Sequence, residues 1–348
     1  MPAGADQTGA GRVTVALDGR GVERGREVLI EGAATAMRDG IALRVFGDSH
    51  ALAALRDEGA QVIEAPGEIT NEDDPVASVR SREDASIVAA AADVADGYSQ
   101  ALVSAGPTGA TMTAALFALR RLSGVRRPSL AVQLPVVGHD GPPTLLLDAG
   151  ANSEARSQDL VQSAVMGAAF SRAVLGVEEP RVALLSVGEE PKKGTAEVVE
   201  AHAELARLEG IRFVGNIEGR DLLTGAAEVI ATDGFTGNVA LKTLEGTAKA
   251  VGSAVAAAAR SNPLAAAGGL MLRPALGGLR RKVNPDMTGG AILLGVRGVA
   301  VVAHGSSGPE GIANAIRLAA SAVKERSTER TGELLASAGA TRAELKGP

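Results

Sequence analysis

No cysteine occurs among the 348 residues, which excludes disulfides, thiolate metal sites, iron–sulfur clusters and a covalent acyl-cysteine intermediate. Tryptophan is also missing, tyrosine occurs once, and aromatic residues make up only 2% of the chain. Combined with a formal charge of −6, this leaves neither the basic surface nor the stacking platforms that nucleic acid demands, so no nucleic-acid partner is expected. The four histidines, His50, His139, His202 and His304, are too scattered for the paired spacing of a helical zinc site, and neither a metal nor another cofactor is expected. No window reaches the roughly 18 uncharged apolar residues of a spanning helix, and the Gly/Ala-rich start has no apolar signal core. The chain therefore reads as cytoplasmic.

Three familiar signatures are absent too. Gly19 and Gly21 are followed by Arg24 where a dinucleotide fingerprint needs its third glycine, and there is no Walker-type Gly-Lys-Ser/Thr run. Nor is there a Gly-x-Ser-x-Gly elbow, the usual mark of a serine hydrolase.

What is present is an α/β pattern. With 45% hydrophobic and 22% charged residues, the chain can bury one large core or two modest ones. Short apolar, β-branched runs at 13–18, 42–47, 61–65, 101–105, 130–135, 144–148, 182–187, 213–217, 228–232 and 299–304 read as strands. Between them, Ala-rich stretches at 22–37, 85–95, 111–121, 154–175, 196–208, 238–259 and 311–325 have helical character. That alternation predicts a mainly parallel, doubly wound sheet. Residues 12–339 read as a single domain with room for two lobes, flanked by disordered tails at 1–11 and 340–348.

In such sheets ligands bind beyond the carboxyl ends of the strands, and several strand-to-helix turns here have compositions suited to that. Ser104-Ala105-Gly106-Pro107-Thr108-Gly109-Ala110 offers close backbone approach at Gly106 and Gly109, N–H groups at a helix start, and the hydroxyls of Ser104 and Thr108. It suits an anion, although a plain capped helix start fits it equally well. Ser186-Val187-Gly188-Glu189-Glu190-Pro191-Lys192-Lys193-Gly194-Thr195 ends an acidic turn with two lysines, which could meet phosphate or a thioester oxyanion or simply solvate the loop. In Thr232-Asp233-Gly234-Phe235-Thr236-Gly237-Asn238, Thr236 reads as an N-cap, with Asp233 beside it, and Asn238 carries an amide suited to a reacting carbonyl or phosphate oxygen. Asp148, Asn152, His304 and Ser306 close two further strand ends; a histidine there can shuttle a proton or merely hydrogen-bond.

Taken together and in order, these loops resemble the PlsX family of acyl-carrier-protein:phosphate acyltransferases, from about Val13 to about Arg326. Further matching segments are Arg126-Arg127-Pro128 leading to Leu134-Pro135, Gly215-Asn216-Ile217-Glu218-Gly219-Arg220-Asp221, and Leu241-Lys242-Thr243-Leu244-Glu245-Gly246. The resemblance implies a fold like that of isopropylmalate dehydrogenases and phosphotransacetylases, a homodimer, and acyl phosphate formation for phospholipid synthesis. Its partners would be acyl carrier protein or another acyl thioester, inorganic phosphate, and a downstream glycerol-phosphate acyltransferase. By the same likeness Lys193 and Asn238 match the family's essential lysine and asparagine. Ser104, Gly106, Thr108, Gly109, Asp148, Asn152, Lys192, Asp233, Thr236, His304 and Ser306 would then line a common substrate cleft.

The match has departures. The family's first-strand Asp-Ala-Met-Gly-Gly-Asp-His stands here as Asp18-Gly19-Arg20-Gly21-Val22-Glu23-Arg24, and Pro107 replaces the Asn of its Ser-Ala-Gly-Asn-Thr-Gly loop. The family's basic, Ser-rich stretch becomes Ser81-Arg82-Glu83-Asp84-Ala85-Ser86. These changes keep three alternatives in view: a relative using another thioester donor such as a coenzyme A ester, a catalytically weakened membrane-associated binding protein, and an oxidoreductase on the related dehydrogenase-like fold.

From Gly246 to Pro285 there is no acidic residue, while Leu264, Leu270, Leu272, Leu276 and Leu279 interleave with basic residues including Arg280 and Arg281. The stretch reads as an amphipathic helical hairpin over 261–283, in which Ser261-Asn262-Pro263 can end one helix and begin another and Gly268-Gly269 can turn the chain, and which contacts an anionic membrane peripherally. The family's helical membrane-docking segment falls at the same place. Dimer packing with solvated arginines is the competing account.

Overall fold

The computed structural model describes residues 12–138, 141–282 and 285–345, without the side chains of 274–276, 278–282 and 285. The expected tail at 1–11, His139, and the side chains of Leu276, Leu279, Arg280 and Arg281 lie outside the described residues.

The strands are β1 (Thr14–Asp18), β2 (Ala42–Gly47), β3 (Gln61–Glu64), β4 (Ala101–Ser104), β5 (Ser129–Leu134), β6 (Thr144–Leu147), β7 (Arg181–Leu185), β8 (Arg212–Ile217), β9 (Val229–Ala231), β10 (Ala291–Leu294) and β11 (Val299–Val302). The helices are α1 (Arg26–Arg38), α2 (Ala53–Asp57), α3 (Pro75–Ser81), α4 (Ser86–Ala95), α5 (Thr108–Leu119), α6 (Ser157–Val174), α7 (Ala196–Leu205), α8 (Gly234–Ala258), α9 (Pro263–Lys282), α10 (Pro309–Lys324) and α11 (Ser327–Ser337). The α/β class expected from the alternation is therefore observed. Where the sequence reads as one domain, the chain folds into two compact units, Met1–Leu122 with Gly289–Thr328 and Ser123–Thr288 with Glu329–Pro348. Each has its own apolar core.

In the first unit the strands run in the order β3-β2-β1-β4-β11-β10. All neighbours are parallel except β10, which pairs antiparallel with β11. Every residue of β1 and β4 is buried, because helices cover both faces of a parallel sheet and its central strands lose their polar side. Two of those helices, α1 and α10, approach closely at Gly32, where an added Cβ would lie 2.6 Å from the Cβ of Ile312.

The second unit has the order β5-β6-β9-β7-β8, parallel from β6 to β8, with β5 antiparallel at its edge. Helix α6 is buried almost all round, including Met166 and Phe170, as a helix wrapped by its own unit must be. Its Gln162 amide donates to the carbonyls of Gly124 and Ala340, both at 2.8 Å. This explains a departure from the expected disordered tail at 340–348. The Arg342 N–H donates to Gly124 O at 2.6 Å and Leu345 is only 5% exposed, so the chain is packed through residue 345.

The hairpin near residue 261 also differs from expectation. Gly268 and Gly269 do not turn the chain; they lie inside α9. The break is the one expected at Ser261-Asn262-Pro263, where Pro263 opens α9 and Asn262 Oδ1 accepts from Ala265 N at 2.8 Å, capping it. Leu264, Leu270, Met271 and Leu272 are exposed along α9. No described helix is long and apolar enough to cross a membrane.

Candidate active site

In the first unit the strand ends of β1, β4 and β11 face the same way. Asp18, at the end of β1, is 3% exposed. Its carboxylate accepts from Ser86 Oγ at 2.5 Å, Ser104 Oγ at 2.7 Å and Arg20 N at 3.1 Å. Burial pushes its pKa above the usual 3.8, against the pull of those hydrogen bonds. Ser104 Oγ in turn accepts from Gly106 N at 3.0 Å. Here glycine is obligatory: Gly21 has φ +78, and a Cβ on it would sit 2.4 Å from Gly106 Cα.

The 104–110 loop thus spends Ser104 and Gly106 on its own construction. What it leaves outward is the start of α5, where Pro107 occupies the N-cap without a side-chain hydrogen bond and Thr108 is exposed. Gly109 leans on Pro75, whose Cγ would lie 3.0 Å from an added Cβ. A small, open recess beside this loop is lined by Asp18, Arg20, Gly21, Glu68, Ser86, Pro107 and Thr111, among others. Arg20 Nη1 reaches Glu68 at 3.4 Å, while its buried Nε has no hydrogen-bond partner among the described residues. At the end of β11, exposed His304 uses Nδ1 on the hydroxyl of Ser306 at 2.8 Å, so these two close their own turn.

The second unit gathers the other predicted residues at the carboxyl ends of its four parallel strands. Asp148 follows β6 and is 2% exposed. Its oxygens accept from the N–H groups of Leu130, Gly150, Ala151 and Asn152 and from the Asn152 side chain, at 2.7–3.1 Å. Burial raises its pKa even so. Asn152 also donates to Pro128 O at 2.7 Å and accepts Gly234 N on its carbonyl at 2.8 Å. Both residues build the platform on which α8 begins. That seat is tight: a Cβ on Gly237 would lie 1.9 Å from Asp148 O.

The N-cap of α8 is Asp233, not Thr236. Asp233 Oδ1 accepts from Thr236 N at 2.8 Å, because the aspartate lies the required three residues ahead of that N–H. One turn on, Asn238 is exposed and donates from Nδ2 to Ala149 O at 3.1 Å, which leaves its second amide hydrogen and its oxygen for other partners.

Adjacent β7 leads into the 186–195 loop, where Lys192 and Lys193 are both exposed. Among the described residues neither amine has an ion-pair partner. The loop is held by its backbone: Lys193 N donates to Glu190 O at 3.0 Å, and Ser186 Oγ to Lys193 O at 2.9 Å. Lys193, in the loop after β7, and Asn238, in the first turns of the helix after β9, therefore follow neighbouring parallel strands, at the edge where α/β ligand sites form.

Sequence reasoning missed two arrangements. The Asp18–Ser86–Ser104 cluster joins residues 68 and 86 positions apart, with no local pattern to announce it. Asn216, within a matching segment but without an assigned role, lies under the lysine loop. Among the described residues no cluster of three or more His, Asp or Glu side chains is arranged to hold a metal.

Solved structures show the class of fold. A phosphotransacetylase from Streptococcus pyogenes aligns with TM-score 0.60 at 17% identity, covering 91% of this chain and 95% of its own. The EutD phosphotransacetylase from Staphylococcus aureus gives 0.58 at 18%, covering 90% and 94%. At such identities the likeness defines a phosphotransacetylase-like α/β fold. Sequence comparison then specifies the family: a model described as fatty acid synthesis protein matches residues 13–330, and the chain belongs to that family. It is 44% identical over 313 residues to the phosphate acyltransferase of Elusimicrobium minutum, covering 88% of this chain and 91% of that one. With the phosphate acyltransferase of Thermobifida fusca it shares 41% over 341 residues, covering 94% and 93%.

Proposed function

We propose that this protein is a phosphate acyltransferase that moves an acyl group from a thioester to inorganic phosphate in fatty acid and phospholipid synthesis. The observation that carries this reading is relatives of that name at 41–44% identity along about nine-tenths of the chain. The exposed Lys193 amine and Asn238 amide at adjacent strand ends support it. A phosphate oxygen attacks the thioester carbonyl, the tetrahedral oxyanion collapses, the C–S bond breaks, and the thiol leaves with a proton from solvent. Phosphate is already anionic near neutrality, so the reaction calls for orientation and oxyanion stabilisation more than for a base. Lys193 and Asn238 supply donors to the developing oxyanion. In the first unit, the α5 start at Thr108 and Gly109 is the segment best suited to an oxyanion of its own, since its first turn lacks a side-chain cap.

Acyl carrier protein is the proposed donor and a glycerol-phosphate acyltransferase the proposed consumer of acyl phosphate. We place the protein in the cytoplasm as a homodimer, with the exposed leucines of α9 supporting peripheral contact with anionic lipid. Purified protein incubated with inorganic phosphate and matched long-chain acyl-carrier-protein and acyl-coenzyme A esters should form acyl phosphate fastest with the carrier-protein ester. A coenzyme A preference would overturn the donor, and binding without turnover would favour a non-catalytic role, to which Arg24 and Pro107 lend some support. Flotation with liposomes should require anionic lipid; absence of binding to any liposome removes the membrane contact.

A further inference from the structure

Asn216 is 5% exposed at the end of β8. Its Nδ2 donates to Glu190 O at 3.0 Å and approaches Lys193 O at 3.5 Å, while its Oδ1 lies 3.0 Å from His202 Nδ1. Two carbonyls on one side fix which end of the amide is nitrogen, and the imidazole must then carry its proton on Nδ1. His202 is itself steadied by an edge-on contact with Phe213, ring centroids 5.0 Å apart. A chain of contacts thus runs from the buried end of β8 through one amide to the two carbonyls that bracket the Pro191-Lys192 tip.

The local backbone is shaped for it. Gly215 takes φ +99, and the β7–β8 register shifts between Val182 and Ala183, an irregularity of the kind that re-aims a side chain. On the lysine's other side, a Cβ at Gly188 would lie 3.1 Å from Lys193 Cγ, so the side-chain stem runs across a bare glycine. The aliphatic stem passes beside Gly188, and Asn216 holds the backbone carbonyls at either end of the turn.

We infer that Asn216 is a positioning residue for Lys193, holding the exposed lysine turn so that its amine is aimed before substrate arrives. The inference rests on the proposed role of Lys193. It makes the lysine turn a preorganised donor rather than a mobile one, at the cost of burying an amide whose every polar atom is used.

The test is a double-mutant cycle on the full chain, using acyl-carrier-protein thioester and inorganic phosphate. Asn216→Ala should lower kcat about ten- to a hundredfold, the scale of a misaimed catalytic group, with KM for either substrate changed less than about threefold. In a Lys193→Ala background the same change should cost less than about twofold, since no amine remains to aim. Hydrogen exchange on Asn216→Ala should show lost protection confined to residues 188–195. If Asn216→Ala is poorly folded, Asn216→Asp keeps the shape and the acceptor facing His202 while losing both donors, and serves in the same cycle. An equal cost with and without Lys193, or a loss carried by KM alone, overturns the inference. Near-wild-type activity of Lys193→Ala instead overturns the role of the lysine.

Discussion

Both units end their parallel strands in glycine-bearing loops, but they use their polar groups in opposite ways. In the first unit, Ser86, Ser104 and the Arg20 N–H all turn inward onto Asp18, so the buried side chains serve the architecture and only the uncapped start of α5 is left outward. In the second, Asp148 and Asn152 do the inward work, and the lysine amines and most of the Asn238 amide are left facing out. Similar loop compositions thus separate into scaffold and chemistry only when the hydrogen-bond partners are followed atom by atom. Residue type alone would have placed Ser104 and Lys193 in the same category.

The largest contrast should come from Lys193→Ala, expected to lower kcat about a hundred- to a thousandfold, the usual consequence of removing one oxyanion donor. Its unfolding free energy should stay within about 0.5 kcal/mol, because the side chain is exposed. Asp18→Ala should behave in the reverse manner. It strands two buried serine hydroxyls and should cost about 2–4 kcal/mol in denaturant unfolding, so a silent Asp18→Ala would erase the distinction between the two loops. Asn238→Ala should lower kcat about ten- to a hundredfold with a smaller effect on stability, as its one amide bond to Ala149 is partly exposed. Lys192→Ala is expected to cost only a few-fold in activity, raising KM for phosphate more than it lowers kcat, since an exposed charge acts chiefly by attraction.

The smallest effect sharpens the scaffold side. Burial raises the Asp18 pKa in the folded protein, so the native state holds this proton more tightly than the unfolded chain does. Its contribution is greatest below the ordinary value of 3.8 and declines as pH climbs through the native value. Relative to Asp18→Asn, which cannot ionise, the wild type should therefore lose stability as pH rises across that window. Paired thermal unfolding from acid to neutral pH measures the slope, and a difference that grows with pH contradicts it.

Much of the scaffold was legible in the sequence, because fully buried parallel strands are written as continuous β-branched runs between turn residues. Strand β10 escaped notice: its four residues, Ala291–Leu294, follow Gly289-Gly290 and merge with the next run through an antiparallel turn. The start of α1 was placed too early, since Gly25 at φ +93 delays it to Arg26. The sequence left room for two lobes but not their boundaries, as the chain returns to the first unit at Gly289 after a long excursion. At the candidate site, Lys193 and Asn238 were singled out by the family resemblance, since the composition of their loops left chemistry, solvation and helix capping all open. The sequence did not reveal Asn216, because its contacts are with residues 23 and 26 positions away, and a strand-end asparagine has no signature of its own.

The pressing of Gly237 against the Asp148 carbonyl has one more implication. With no room for even a methyl group, the residue that follows β6 and the opening turn of α8 meet backbone to backbone, so a side chain at position 237 would push Asn238 away from its seat. Efforts to broaden or redirect this protein by reshaping that helix would meet a closed door at position 237, whereas the lysine arm, suspended from one amide and one hydroxyl, is the part that evolution or an engineer can retune.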